Sequence, residues 1–67
     1  MKLKVNGNIK HFDEEKLSIS ELLNKLNYTF PKIIVKINND IISKKDYDIT
    51  IIKDNDIVLL IHMISGG

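Results

Sequence analysis

Sixty-seven residues make one small domain, a size that buries only about 60% of the surface its unfolded chain exposes and leaves no room for an enclosed active site. The chain has no cysteine, which excludes disulfides, thiolate metal sites and thiol nucleophiles. Ten lysines against nine acids give a net charge of +1 without a single arginine, and a chain lacking the side chain best suited to bidentate phosphate and guanine contacts is not expected to bind nucleic acid.

Leu3 and Val5 alternate with Lys2 and Lys4, and Asn6-Gly7 follows. That dipeptide supplies the two positive-φ residues of a type I′ turn, so residues 2–12 are predicted to form a hairpin with Val5 opposite Asn8. In that register Lys10 and Phe12 share the face of Leu3 and Val5, while Ile9 and His11 face the other way. Residues 13–16 are charged and read as a solvated loop, with an acidic docking patch as the alternative. Ser18 and Glu21 have the spacing of a capping box, and Leu17 stands where it can staple against Leu22. The helix that starts there carries Ile19, Leu22, Leu23 and Leu26 in one apolar stripe, and Glu21 is placed to pair with Lys25 on the wet side. Asn27 tolerates the left-handed conformation that ends a helix, and Pro31 bars helix at Phe30.

Residues 33–37 form an apolar run of strand length, closed by Asn38-Asn39-Asp40 and followed by the short strand Ile41-Ile42. Residues 44–48 are polar apart from Tyr47, whose ring is expected over the sheet edge; Ile49, Ile51 and Ile52 then resume the apolar character. Asp54-Asn55-Asp56 reads as a tight turn rather than a cation site, because further ligands are missing. Residues 57–64 are an unbroken apolar run, rich in Ile, and read as a central strand. The order ββαβ(β)β predicts an α+β, ubiquitin-like β-grasp fold: a mixed sheet of four to five strands with one main helix across one face. The domain is expected to span residues 1–64, with residues 65–67 as a flexible tail.

Two of the three glycines are the last two residues, Gly66 and Gly67. A frayed end is the plain reading; the sharper one is that the Gly67 carboxylate is the working group. Ser65 to Gly67 with the residue before them reach about 13 to 14 Å when extended, enough to thread a narrow channel that only glycine passes without side-chain clashes. Alternation along the last strand puts Val58 and Leu60 on one face and Leu59, Ile61 and Met63 on the other. A single helix covers one face only, so Leu59, Ile61 and Met63 are expected to form an exposed partner-binding patch, unless the loop around Tyr47 folds over them. His62 is expected as a packed strand residue and His11 as a surface residue. Neither has an acid or nucleophile at motif spacing, so no catalytic residue and no metal site is assigned and the chain is not expected to be an enzyme. No run approaches the roughly 18 apolar residues of a membrane span and the first residues lack a signal-peptide core, so a cytoplasmic protein without membrane attachment is expected.

The chain resembles the ThiS family of ubiquitin-like sulfur carriers in thiamin biosynthesis. The resemblance rests on residues 2–7 at the start, the single helix from Ser18 to Leu26, the segment Ile34 to Asn38, residues 53–58, and the ending Ile61-His62-Met63-Ile64-Ser65-Gly66-Gly67. Asn39 and Asn55 stand where the family often has glycine, Ser65 where some members have a third glycine, and Tyr47 where tryptophan is common. The resemblance implies that a ubiquitin-activating-type adenylyltransferase uses ATP and magnesium to adenylate Gly67. It further implies that a sulfur donor protein converts the adenylate to a thiocarboxylate, and that a thiazole synthase takes up the sulfur. The carrier itself binds no cofactor in this scheme and is a monomer when free. The small subunit of molybdopterin synthase shares the diglycine chemistry but is usually longer; a lysine-conjugated modifier and an inert interaction module are the other readings.

Overall fold

The chain is seen in a computed structural model that describes residues 1–28 and 32–63. Expectations for Phe30, Pro31, Ile64 and the tail residues Ser65, Gly66 and Gly67 lie outside the described residues, as does the boundary between domain and tail.

The first hairpin has the predicted register. Asn6 and Gly7 take φ of 49° and 85° and join β1 (Lys2–Val5) to β2 (Asn8–His11) with Val5 opposite Asn8 and Leu3 opposite Lys10. The loop that follows is less free than its charge suggests. The Met1 ammonium donates to the carbonyls of Phe12 and Glu14, and the Glu14 carboxylate lies 2.7 Å from the Lys25 ammonium. Residues 16–18 then form a strand that the sequence reading missed: β3 (Lys16–Ser18).

Ser18 caps α1 (Ile19–Lys25) with a complete capping box: its hydroxyl accepts from the Glu21 N–H, and the Glu21 carboxylate accepts from the Ser18 N–H. That engagement explains why the expected Glu21–Lys25 pair does not form; Glu21 turns back to the cap, and Lys25 reaches Glu14 instead. At the far end Asn27 takes φ 54°. Its N–H donates to the Asn24 carbonyl and the Tyr28 N–H to that of Leu23, the double bond of a Schellman motif that satisfies two otherwise orphaned carbonyls.

The middle of the chain repeats the device of the first hairpin. β4 (Ile33–Ile37) turns into β5 (Asp40–Ile42) through Asn38 and Asn39 at φ 49° and 78°, so asparagine fills both left-handed positions at low cost. A 3-10 turn (Lys44–Asp46) leads to β6 (Ile51–Lys53), which pairs with β3 through Leu17 opposite Ile52. Asn55, at φ 70°, turns the chain into β7 (Ile57–His62).

The main sheet has five strands in the order β2-β1-β7-β4-β5, with β7 parallel to β1 and antiparallel to β4. Leu3, Val35, Val58 and Leu60 project from it onto Ile19 and Leu22 of the helix, and Leu17 and Ile52 close the core from the smaller sheet. Tyr47 is a difference from expectation. Its ring lies within this core rather than over the sheet edge, 9% exposed, its carbonyl accepts from the Ser20 N–H, and burial raises the pKa of its hydroxyl above the ordinary tyrosine value. A mixed five-stranded sheet with one helix across one face is the ubiquitin-like β-grasp architecture. Among the described residues no helix is long and apolar enough to cross a membrane.

Candidate functional site

Strand β7 lies at the centre of the sheet and points toward the C-terminal residues. Val58 and Leu60 face the helix and are buried, while Ile57, Leu59 and Ile61 face outward. Met63 lies just past the strand, its N–H still donating to the Lys32 carbonyl. Leu59, Ile61 and Met63 are 39%, 39% and 42% exposed, and Tyr47, inside the core, leaves them uncovered. His62 is exposed rather than packed.

Two asparagines hold this strand in place, one from each hairpin turn. The Asn6 N–H donates to the Val58 carbonyl, and where β1 veers off into its turn the Asn6 side-chain oxygen accepts from the Leu60 N–H at 2.8 Å. On the other side the Asn38 side-chain oxygen accepts from the Ile57 N–H at 2.9 Å, and the Asn38 N–H donates to the Ile57 carbonyl. Each asparagine therefore does two jobs: its backbone supplies the left-handed turn residue, and its amide satisfies a β7 donor that has no strand opposite it.

The outward face is broader than the three predicted residues. On β4, Ile34 lies opposite Ile61 and Lys36 opposite Leu59; on β5, Ile41 lies opposite Lys36. On β1, Lys4 lies beside Ile57, and on β2, Ile9 lies opposite Lys4. Lys4, Lys36, Ile57 and Leu59 line a shallow groove of about 230 Å³, with Gly7 and Asn39 of the two turns at its rim. Sequence reasoning missed these lysines and isoleucines. The alternation of β1 and β4 contained the signal, since each lysine occupies a position out of phase with Leu3, Val5, Val35 and Ile37.

The acids at the lower end of the sheet are otherwise engaged. Asp54 accepts from the Lys2 N–H at 2.7 Å, and Asp56 accepts from the Lys53 N–H and the Asn38 side-chain amide at 2.9 Å each. This turn is held by backbone donors, as the tight-turn reading requires. Among the described residues no group of three or more His, Cys, Asp or Glu side chains is arranged to hold a metal ion.

Comparison with known proteins places this geometry. No curated protein matches the chain. The crystal structure of the thiamine biosynthesis protein ThiS from Geobacter metallireducens is similar at 32% identity, with all of both chains covered and a TM-score of 0.90. The solution structure of a thiamine biosynthesis protein from the same organism is similar at 32% identity and a TM-score of 0.79, covering 100% of this chain and 88% of that one. The sequence model of the ThiS family matches residues 3–67. With the family pattern running from the first hairpin through the final diglycine, on the same fold, the chain belongs to the ThiS family.

Proposed function

We propose that this chain is a sulfur carrier of thiamin biosynthesis and that the Gly67 carboxylate is the group that carries the sulfur. The observation that carries this reading is the family match, which extends through Ser65, Gly66 and Gly67. A carboxylate is a poor electrophile. Adenylation by a ubiquitin-activating-type enzyme, with ATP and magnesium held by that enzyme, makes the Gly67 acyl carbon reactive and releases pyrophosphate. Sulfur at the sulfide level, released by a donor protein, then attacks that carbon, AMP departs with the bonding oxygen, and a thiocarboxylate remains, which a thiazole synthase consumes. The chain acts as a co-substrate, presenting its terminus to the catalytic groups of others, and needs no cysteine to do so. Leu59, Ile61 and Met63 form part of the surface by which the body docks while Ser65 and Gly66 thread the partner's channel.

Intact mass measurement tests this. Incubation with the cognate activating enzyme, ATP, magnesium and a sulfur source is expected to give a mass increase equal to exchanging one oxygen for sulfur, absent without ATP. Lysine conjugates would support a protein modifier instead, and an unchanged mass would support an inert module. Gly66→Val is expected to abolish the shift while leaving the circular dichroism spectrum unaltered; a variant loaded at the normal rate would refute the channel argument.

A further inference from the structure

The main sheet ends sideways on two strands, β2 and β5, and they offer different things. The Lys4 and Asn6 N–H groups donate to Asp56 and Val58 on the β7 side, so Leu3 and Val5 turn their backbone groups to β2, opposite Lys10 and Asn8. The Phe12 N–H continues that ladder by donating to the Met1 carbonyl. Backbone groups alternate in direction along a strand. Asn8, Lys10 and Phe12 are therefore spent on β1, while Ile9 and His11 hold out two N–H groups and two carbonyls to which no strand is paired among the described residues. On β5 the same parity turns only Ile41 outward, because Asp40 and Ile42 bond back to Ile37 and Val35. All four residues of β2 are exposed.

Beside that edge, on the helix side, lies a seat for side chains. A groove of about 220 Å³ is lined by Val5, Asn6 and Asn8 of the hairpin, Leu26 and Tyr28 at the end of the helix, and Lys10. The Tyr28 hydroxyl donates to the Leu60 carbonyl at 3.4 Å, which closes the groove against β7. Phe12, half-buried against the core, stands two residues beyond Lys10 on the same face. Between these apolar groups Lys10 has no counter-charge: the ion pair found among the described residues joins Glu14 to Lys25.

We infer that the free edge of β2 takes an added strand, and that its occupant is an extended segment of another protein with a carboxylate at its centre and an apolar side chain two residues to either side. In such a pairing the residues opposite Ile9 and His11 complete the ladder. The residue between them faces the helix side, and its carboxylate meets Lys10; the apolar residues flanking it fall opposite Asn8, over the groove, and opposite Phe12. A second copy of the chain fits poorly. A two-fold pairing that uses both Ile9 and His11 sets Lys10 of one copy against Lys10 of the other, and like charges directly opposite are destabilising. An inward-pointing charge on an edge strand is a device that refuses its own kind; against a carboxylate the same lysine becomes an anchor. This site goes beyond the sulfur-carrier reading and does not depend on it. An added strand extends the sheet at the side remote from β7, so Leu59, Ile61 and Met63 stay open while the edge is held.

The probe is a capped heptapeptide, Thr-Leu-Thr-Glu-Thr-Leu-Thr, whose pattern is the same in both strand directions. It is titrated into the intact, nitrogen-15-labelled chain at low salt, and amide shifts and hydrogen exchange are read residue by residue. Saturable binding with a Kd of about 1 mM or tighter is expected, with exchange slowed at Ile9 and His11, shifts at Leu26, and none at Leu59 or Ile61. Lys10→Glu, checked for fold by circular dichroism, is expected to weaken binding by about fivefold or more and to regain it for a peptide with lysine at its centre. Methylating the backbone nitrogens of the two threonines beside the glutamate removes the donors to the Ile9 and His11 carbonyls and is expected to abolish binding. No saturable binding at about 5 mM peptide, binding that survives methylation, or a Lys10→Glu affinity within about twofold of wild type would overturn the inference. So would exchange at Ile9 and His11 that slows when the chain alone is concentrated, which gives the edge to a second copy. The mass shift at Gly67 is measured separately, so these failures leave the carrier reading standing.

Discussion

The two sides of β7 are made of the same kinds of residue and have opposite fates. Val58 and Leu60 on one side are 1% and 3% exposed; Ile57, Leu59 and Ile61 on the other are 56%, 39% and 39% exposed. What separates them is the helix, which covers one side only, and a loop that places Tyr47 inside the core instead of across the outer face. Apolar character alone therefore does not mark a core. In a domain this small, one face of the sheet holds the fold together and the other is left bare.

Substitution on the two sides should break that symmetry. Leu60→Ala removes side-chain volume from a buried site and is expected to cost about 2–5 kcal/mol, most of the stability such a domain has, as read by urea titration. Leu59→Ser, one residue away, is expected to cost less than about 1 kcal/mol while weakening association with the activating enzyme. Equal destabilisation by both would mean that the outer face is covered in solution.

A finer test concerns what holds β7 at its edges. Asn6→Gly keeps the positive φ that the turn requires but deletes the acceptor for the Leu60 N–H, leaving a partly buried donor unmet at a cost of about 1–2 kcal/mol. Asn6→Asp retains an acceptor oxygen in the same place and is expected to stay closer to wild type. Amide hydrogen exchange at Leu60 should accelerate in the first variant and not in the second. If both behave alike, the asparagine serves the turn alone.

Much of this fold was legible in the sequence because its signals are local. Asn6-Gly7, the Ser18 and Glu21 spacing and the left-handed Asn27 each fix geometry within a few residues, and the structure has all three. What escaped depends on residues far apart. β3 is three residues long with one inward apolar residue, Leu17, too short to show a period, and exists because Ile52 lies opposite it. Lys25 reaches Glu14 rather than Glu21 because the capping box occupies Glu21, a competition that pair spacing does not reveal. The patch residues Leu59, Ile61 and Met63 followed from alternation in one strand. Lys4 and Lys36 beside them required knowing that β1 and β4 are the neighbours of β7.

The smallest expected effect belongs to the Glu14–Lys25 pair, and it sharpens the comparison by acting on neither side of β7. Its side chains are 37% and 43% exposed, so solvent and salt screen it and it contributes little. The hydrogen bond from Lys25 lowers the Glu14 pKa, and the same bond raises that of Lys25. A depressed carboxylate contributes stability above its unfolded pKa and loses it as the pH falls through the folded value. A raised lysine contributes below its unfolded pKa and loses it as the pH rises through the folded value. The stability difference between wild type and Glu14→Gln should therefore be flat through neutral pH and vanish at the acid end. It should vanish again at the alkaline end as Lys25 loses its proton, while Tyr47, whose pKa burial raises, titrates alike in both proteins and cancels from the difference. Urea titrations of both proteins from acid to neutral pH check the sign. Association of Glu14→Gln with the activating enzyme should match wild type at every salt concentration, because the pair sits at the helix end; a change there would mean that the partner reaches past the outer face of the sheet.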